Sequence, residues 1–374
     1  MPKLSDSLKV TKTLYLRNRL VIPPMVTGLA LKGIPTKTQL NWYAQLAKSG
    51  ASLVIVEAAS ILPGSQILPN QIDISPDAPL GPLATLARTI QRNGAPAILQ
   101  IVHGGGRAWR PDVSVERVAP SNVAIAPGPA PRALSEPEIE ELISAFVAAS
   151  VKAQLAGFGG VEIHAAHYYL ISQFLSPFTN HRNDAWGGSV TNRARFAVET
   201  IRAVRKEVGA DYPIFVRINA EERFELGLAS DDIVEIARQL ENAGADVLDA
   251  SAIGQTTTQT WEGNSFINTM SVLPKTAPAG SLAAAAGRIK AALRIPVIAV
   301  GKLGELSAAQ RVLDEGQADL VAIARQVIAD PSTPQKLLEG RDSSIVRCKE
   351  CLSCLASIRQ GSIRCSVNKE LAAI

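Results

Sequence analysis

Apolar and polar positions along the chain follow two alternating rhythms. Short, near-continuous apolar runs are separated by longer stretches in which apolar residues recur every three or four positions, with polar residues opposite. The first rhythm suits a strand covered on both faces, and the second an amphipathic helix. Eight runs of the first kind are predicted as strands: residues 20–26, 53–58, 97–103, 160–164, 214–219, 247–250, 297–301 and 320–324. Residues 138–156 and 232–243 carry the helical period. Ser135 with Glu138, and Ser307 with Gln310, have the spacing of a reciprocal helix cap, in which each side chain satisfies an orphan backbone N–H.

Eight strand–helix units predict an α/β fold, a closed eight-stranded (β/α)8 TIM barrel, with an open doubly wound sheet as the alternative. The barrel is expected over residues 1–340, followed by a short Cys-rich C-terminal tail over 341–374. In such a barrel the reactive groups lie at the C-terminal strand ends. Two connections after strands are long, 104–134 and 255–280, and both are expected to cover that mouth.

Composition narrows the possible partners. The 374 residues are 47% hydrophobic and 19% charged, and the net charge of +4 comes from scattered Lys and Arg. That distribution argues against nucleic acid but leaves room for an anionic cofactor or substrate. No apolar leader follows Met1, and no apolar run is long enough for a membrane span, so a cytoplasmic protein is expected.

The chemistry concentrates where one strand ends, in Gly160-Val161-Glu162-Ile163-His164-Ala165-Ala166-His167-Tyr168-Tyr169. One reading is a hydrogen-bonded core pair, or a metal site completed by His181 or Asp184. The other is a pair of imidazoles, His164 and His167, donating to one carbonyl oxygen, with Tyr169 as general acid. Gly104-Gly105-Gly106-Arg107 opens a loop and Gly157-Phe158-Gly159-Gly160 precedes a strand, so neither is a dinucleotide fingerprint.

The run from His164 to Pro177, followed by Asn180-His181-Arg182-Asn183-Asp184-Ala185-Trp186-Gly187-Gly188 and Asn192-Arg193, resembles the Old Yellow Enzyme family of flavin-dependent ene-reductases. Pro24-Met25, Glu57-Ala58, Gln100, His103, Arg107, Arg217, Gly301 and Ala324-Arg325 recur in order and resemble that family's flavin contacts. The resemblance implies FMN across the barrel mouth, contacted by Pro24, Met25, Val26, Ala58, Gln100, Arg217, Gly301, Lys302, Ala324 and Arg325. By the same analogy Gln100 bonds the pyrimidine edge, Arg217 offsets charge near N1, and Gly301 and Arg325 hold the phosphate. A phosphate site after strands seven and eight also fits barrels in general.

The implied reaction is reduction of the C=C bond of an α,β-unsaturated carbonyl compound, an activated alkene. NADH or NADPH would enter the same pocket as the second substrate. Val26 departs from the pattern, because many relatives place a polar side chain there; adjacent Thr27 is the substitute within reach.

All four cysteines, Cys348, Cys351, Cys354 and Cys365, fall in the last 27 residues. Their spacing suits structural zinc or a [4Fe-4S] cluster, and unmetallated thiols are the third option. Resemblance to longer flavoproteins related to dienoyl-CoA reductase and trimethylamine dehydrogenase favours iron–sulfur over zinc. Two rival functions follow from the tail. One is an amine dehydrogenase that passes electrons to an external electron-transfer partner; the other is a metal-bearing scaffold with a silent barrel. A tail beside the mouth would suit a homo-oligomer.

Overall fold

Two proline residues show how locally the barrel is written. The first strand, β1 (Leu20–Ile22), stops short of the expected residue 26 because Pro23 and Pro24 have no N–H to give a neighbouring strand. The remaining strands are β2 (Leu53–Ser60), β3 (Ala97–Val102), β4 (Val161–Ala165), β5 (Ile214–Glu222), β6 (Val247–Ile253), β7 (Val297–Ala299) and β8 (Leu320–Ala322). In this computed structural model, which describes residues 1–109 and 116–372, they pair in parallel and in sequence order. Pairing of Val321 with Leu20 and Ala322 with Val21 closes the ring and rules out the open sheet.

The outer layer is built from helices α1 (Lys37–Ala47), α2 (Leu80–Arg92), α3 (Glu136–Leu155), α4 (Leu170–Leu175), α5 (Val190–Val208) and α6 (Ser230–Ala243). It continues with α7 (Ala283–Ala292), α8 (Leu306–Asp314), α9 (Arg325–Ala329) and α10 (Thr333–Leu338). The reciprocal cap of Ser135 and Glu138 opens α3 as the sequence suggests. The second expected cap does not form. Helix α8 starts at Leu306 with Glu305 at its N-cap, which puts Ser307 inside the helix, and Gln310 instead bonds Leu4 N–H and the Pro2 carbonyl.

Inside the barrel, the period-two alternation of each strand stacks side chains in layers. Ile98, Phe215, Val247 and Ile298 belong to an apolar plug. At the same level β4 follows Gly160, where a Cβ would come within 2.7 Å of Ile98 Cδ1 and of the Pro213 carbonyl. One step further along the same strands stand Gln100, Glu162, Arg217 and Asp249, and one step beyond those His164 and Ser251.

The long connections have structure of their own. Residues 255–280 contain an antiparallel hairpin, Gln255–Trp261 paired with Asn264–Met270, rather than an open loop. Its turn residues Glu262 and Gly263 both have positive φ, as a two-residue hairpin turn requires. The 104–134 connection holds a short turn at Gly105–Arg107 and a small bridge of Val118–Ala119 with Arg132–Ala133; its residues 110–115 lie outside the described residues.

The Cys-rich tail folds back on the barrel. Its helix α11 (Ser353–Ile358) contributes Ile358 to the main core, together with Ile363 and Leu371. Ile363 N–H donates to the Thr27 carbonyl at 2.7 Å, and a Cβ on Gly28 would meet the Gly361 carbonyl at 2.5 Å, so the two segments touch through backbone. Among the described residues no helix is long and apolar enough to cross a membrane.

Much of the run after Tyr169 is scaffolding. Asn180 donates to the Phe174 and Trp186 carbonyls, each at 2.8 Å. Buried Arg193 donates to the Leu175 and Gly188 carbonyls and pairs with Asp232 at 2.7 Å. Removing one partner of such a buried set costs about 3–5 kcal/mol, whereas an exposed ion pair is worth about 0–1 kcal/mol. Arg193→Met should therefore lower the melting temperature by several degrees in scanning calorimetry, while Arg202→Met, which breaks the exposed pair with Glu199, leaves it nearly unchanged.

Candidate active site

Beyond β4 the chain turns sharply. His167 and Tyr168 both adopt positive φ, 61° and 55°, a conformation that costs a non-glycine residue about 1–2 kcal/mol. The surroundings hold it there. His167 N–H donates to Asn219 Oδ1 at 3.0 Å, and its carbonyl accepts from Arg107 at 2.6 Å. Tyr168 N–H reaches Ser172 Oγ, its carbonyl accepts from Gln173, and its hydroxyl donates to Glu222 at 2.6 Å. Arg107 also grips Thr269 of the hairpin, so one guanidinium ties the turn to the long β6 connection.

This turn brings three rings together. The centroids of His164 and His167 are 4.9 Å apart, those of His164 and Tyr169 also 4.9 Å, and those of His167 and Tyr169 6.4 Å, all close to perpendicular. The Arg107 guanidinium lies 5.6 Å from the Tyr169 ring centre.

Their ionisation follows from where they sit. Burial, reinforced by Arg217 and Arg107, holds the His164 imidazole well below its ordinary range. Burial, Arg217, His164 and Arg107 do the same to His167. Both rings are neutral at neutral pH. His164 Nδ1 accepts the Ala166 N–H at 3.2 Å, which leaves its proton on Nε2. His167 Nε2 lies 2.6 Å from Ser251 Oγ. Burial raises the Tyr169 phenol, opposed by Arg107, Arg359 and Arg217, so it keeps its proton. Two neutral N–H groups and a phenolic O–H can bind a carbonyl oxygen and supply a proton beside it.

The three rings line a cavity of about 610 Å3. Its wall also includes Pro24, Met25 and Val26 after β1, Gln100 from β3 and Arg217 from β5. Gly301 and Lys302 after β7, and Ala324 and Arg325 after β8, line it as well. Arg347, Cys348, Glu350, Cys354, Leu355, Ile358 and Ile363 of the tail complete it, so the tail is a wall of the same chamber.

Several expected participants lie elsewhere. Ala58 is set back from the cavity, fully buried, with its carbonyl accepting from Gln71 at 2.7 Å. Thr27 cannot stand in for Val26, because its buried hydroxyl donates to Glu57 Oε2 at 2.6 Å. That carboxyl is pushed up to about 7 by burial, against the hydrogen bonds from Thr27, Gln39 and Tyr43. Asp184 is held by Arg182, and His181 N–H donates to Ser121, so neither completes a metal site with the two histidines.

Residues that motif reading passed over hold the site in place: Glu162, Asn219, Glu222, Asp249 and Ser251. A charge inside an apolar strand run, as at Glu162 and Asp249, is the signal that could have found them. Gln100 Nε2 donates to Glu162 Oε1 at 2.7 Å, and Arg217 Nε lies 3.3 Å from Asp249 Oδ2.

At the opposite end of the cavity cations gather. Lys302 Nζ bonds the carbonyls of Lys275 and Ala277 and pairs with Glu350 at 2.7 Å. Of the cysteines, Cys348, Cys354 and Cys365 are half-buried and Cys351 is exposed; none is in a disulfide. Burial raises the Cys348 and Cys354 thiols, and neighbouring cysteines raise them further. Cys351 is lowered to about 7 by the hydroxyls of Ser353 and Ser366. Among the described residues no group of three His, Cys, Asp or Glu side chains is arranged to hold a metal ion.

Comparison with known proteins gives consistent matches. Residues 4–344 fit the model of the NADH:flavin oxidoreductase / NADH oxidase family. An NADH oxidase of Thermoanaerobacter brockii is 38% identical over 365 residues, which is 95% of this chain and 54% of that protein. An NADPH dehydrogenase of Clostridium acetobutylicum is 33% identical over 323 residues, 86% of this chain and 90% of that protein. The solved structure of a 2-naphthoyl-CoA reductase with 2-naphthoyl-CoA superposes with a TM-score of 0.89 at 27% identity, over 99% of this chain and 57% of that one. The chain thus spans about half the length of the longer proteins it matches.

His103 supplies a pH test. Burial lowers its imidazole to about 4, and its Nδ1 accepts the Gly105 N–H. The folded state refuses a proton that the unfolded state takes up below about 6.5, so the contribution of His103 is complete above that pH and is lost as pH falls toward 4. Buried carboxyls such as Glu57 act in the opposite sense, so the difference between proteins is the measurement. In urea unfolding, the stability deficit of His103→Asn relative to wild type should shrink by about 1–2 kcal/mol between pH 6.5 and 5. A deficit that stays constant or widens contradicts this.

Proposed function

This chain belongs to the Old Yellow Enzyme family of NADH:flavin oxidoreductases, and from that premise we propose that it is an FMN-dependent ene-reductase. It reduces the C=C bond of α,β-unsaturated carbonyl compounds, with NADH or NADPH as electron donor.

The residues present fit FMN. The cavity volume lies in the range of small-molecule and cofactor sites, about 300–1,000 Å3. Because Gln100 gives its amide nitrogen to Glu162, its oxygen is left to accept a hydrogen bond from a ring N–H. Arg217 places a guanidinium on the cavity wall, Pro24, Met25 and Val26 add a mainly apolar surface, and Ala324 sits where β8 ends. Gly301, Lys302 and Arg325 would hold the phosphate. When bound, FMN supplies the hydride that adds to the β-carbon of the alkene.

The chain's own groups do the rest. His164 donates from Nε2 and, with Ser251 Oγ donating to its Nε2, His167 adds an N–H from Nδ1, so the substrate carbonyl oxygen binds where negative charge develops as the alkene is reduced. Tyr169 gives its phenolic proton to the α-carbon. Burial keeps that proton in place until the carbon becomes basic, and the Arg107 guanidinium over the ring steadies the phenolate left behind. The perpendicular cluster of two neutral imidazoles and one protonated phenol on a cavity wall carries this reading. The same donors suit a carbonyl oxygen better than the ammonium of an amine substrate.

For the tail, the finer reading is ligation of a [4Fe-4S] cluster by Cys348, Cys351, Cys354 and Cys365, with zinc as the alternative. Their spacing supports it, as does the place of Cys348 and Cys354 on one wall of the chamber. As arranged, the thiols are not a metal-holding group, and closing one requires Cys351 to leave Ser353 and Ser366. No step of the reaction is routed through a cluster.

Two measurements test these statements. Tyr169→Phe should slow alkene reduction by about 10²–10⁴-fold while reduction of the flavin by NAD(P)H changes little; equal loss of both half-reactions would remove Tyr169 as proton donor. Iron and acid-labile sulfide in anaerobically purified protein should each reach about four per chain, and zinc or no metal in their place would end the cluster assignment.

A further inference from the structure

Four polar side chains face inward at neighbouring levels of the barrel. Gln100 on β3 is in register with Glu162 on β4, and Arg217 on β5 with Asp249 on β6. Gln100 and Arg217 reach the cavity; Glu162 and Asp249 do not line it and are fully buried. On the other side lies the apolar plug of Ile98, Phe215, Val247 and Ile298, which offers no side-chain hydrogen bond.

Hydrogen-bond accounting leaves these groups short. Gln100 Nε2 satisfies Glu162 Oε1, but Glu162 Oε2, both Asp249 carboxyl oxygens and Arg217 Nε have no hydrogen-bond partner among the described residues. The 3.3 Å approach of Arg217 Nε to Asp249 Oδ2 is therefore an ion pair without hydrogen-bond geometry, and the other end of the guanidinium reaches Ser251 Oγ at 3.4 Å. Two carboxylates facing one guanidinium would leave an unpaired negative charge inside an apolar barrel, at a cost of several kcal/mol. One proton removes that charge and converts an orphaned acceptor into a donor.

We propose that Glu162 and Asp249 share a single proton and act together as positioning residues: they balance Arg217 from beneath the cavity and fix the amide of Gln100. The groups that face the pair are Gln100 from β3, His164 from β4, Arg217 from β5 and Ser251 from β6. His164 is neutral, which leaves Arg217 as the charge the pair must match. Arg217 lies 3.3 Å from Asp249 Oδ2 and holds the negative charge there; burial raises both carboxyls against Arg217, and the charge of Asp249 pushes Glu162 up further, so the proton resides on Glu162.

Sharing buffers the charge beneath the site. If either carboxyl becomes an amide, the other ionises and Arg217 still faces one carboxylate. If both do, the guanidinium is left uncompensated against the cavity. This consequence rests on the flavin reading above, but the location of the proton does not.

Neutron crystallography of the wild-type protein tests the proton directly and needs no variant to fold. One deuteron on the Glu162–Asp249 pair is expected; deuterons on both, or on neither, overturn the proposal. Redox titration of bound FMN tests the consequence. Glu162→Gln and Asp249→Asn should each change the preference for reduced over oxidised flavin by less than about threefold, and the double variant should raise it by about tenfold or more, about 30 mV for a two-electron couple. Additive shifts from the single variants would mean two independent carboxylates and overturn the shared proton. A protein that retains no FMN yet shows the single deuteron would count against the functional reading alone.

Discussion

The site depends on one strained turn and the clamps that hold it. With Asn219 under the His167 N–H, Arg107 on its carbonyl and Gln173 on the next one, two consecutive side-chain-bearing residues stay in a backbone region they would otherwise leave. Relaxed to an ordinary extended path, the chain would send His167 and Tyr169 to the face opposite His164. Held as it is, the turn places both around His164, and the hydrogen bonds that hold it come from β5, the β3 connection and α4. Active-site geometry and barrel closure are therefore one structural fact.

A second constraint is how the barrel lumen grades from apolar to polar. The plug gives no hydrogen bonds, the polar groups next to it have more unpaired acceptors than unpaired donors, and the cavity above them carries the neutral donors His164, His167 and Tyr169 on its wall. Low dielectric explains all three. It strips charge from the imidazoles, keeps the phenol protonated and makes an unbalanced carboxylate expensive, so each group is in the form the proposed chemistry needs before any ligand arrives. The tail adds a wall to this chamber and docks through backbone contacts at Gly28 and Ile363.

The strands were legible because β/α strands are buried on both faces and their apolar runs need no distant partner to be recognised. Their ends were less so: Pro23 cut β1 short, while β5 and β6 ran on to Glu222 and Ile253 through tertiary pairing. The hairpin at 255–270 was missed because its Thr-rich alternation lacks a buried apolar face to mark it. Ser307 failed as a cap since a serine three residues before a glutamine does not say where the first helical turn begins. Thr27 failed as a substitute because its hydroxyl answers to Glu57, thirty positions away in sequence.

From sequence alone came the eight strand–helix units and the histidines and tyrosine at one strand end, because period and local residue chemistry are carried by neighbours along the chain. Only the folded chain decided that Arg107 is a clamp rather than a cavity residue, that Arg193 and Asn180 brace α4, and that Glu162 and Asp249 lie together beneath Gln100 and Arg217. Those roles depend on burial and on which side chains converge from different strands. Both are properties of the closed barrel, set by register and shear, and no segment holds them by itself.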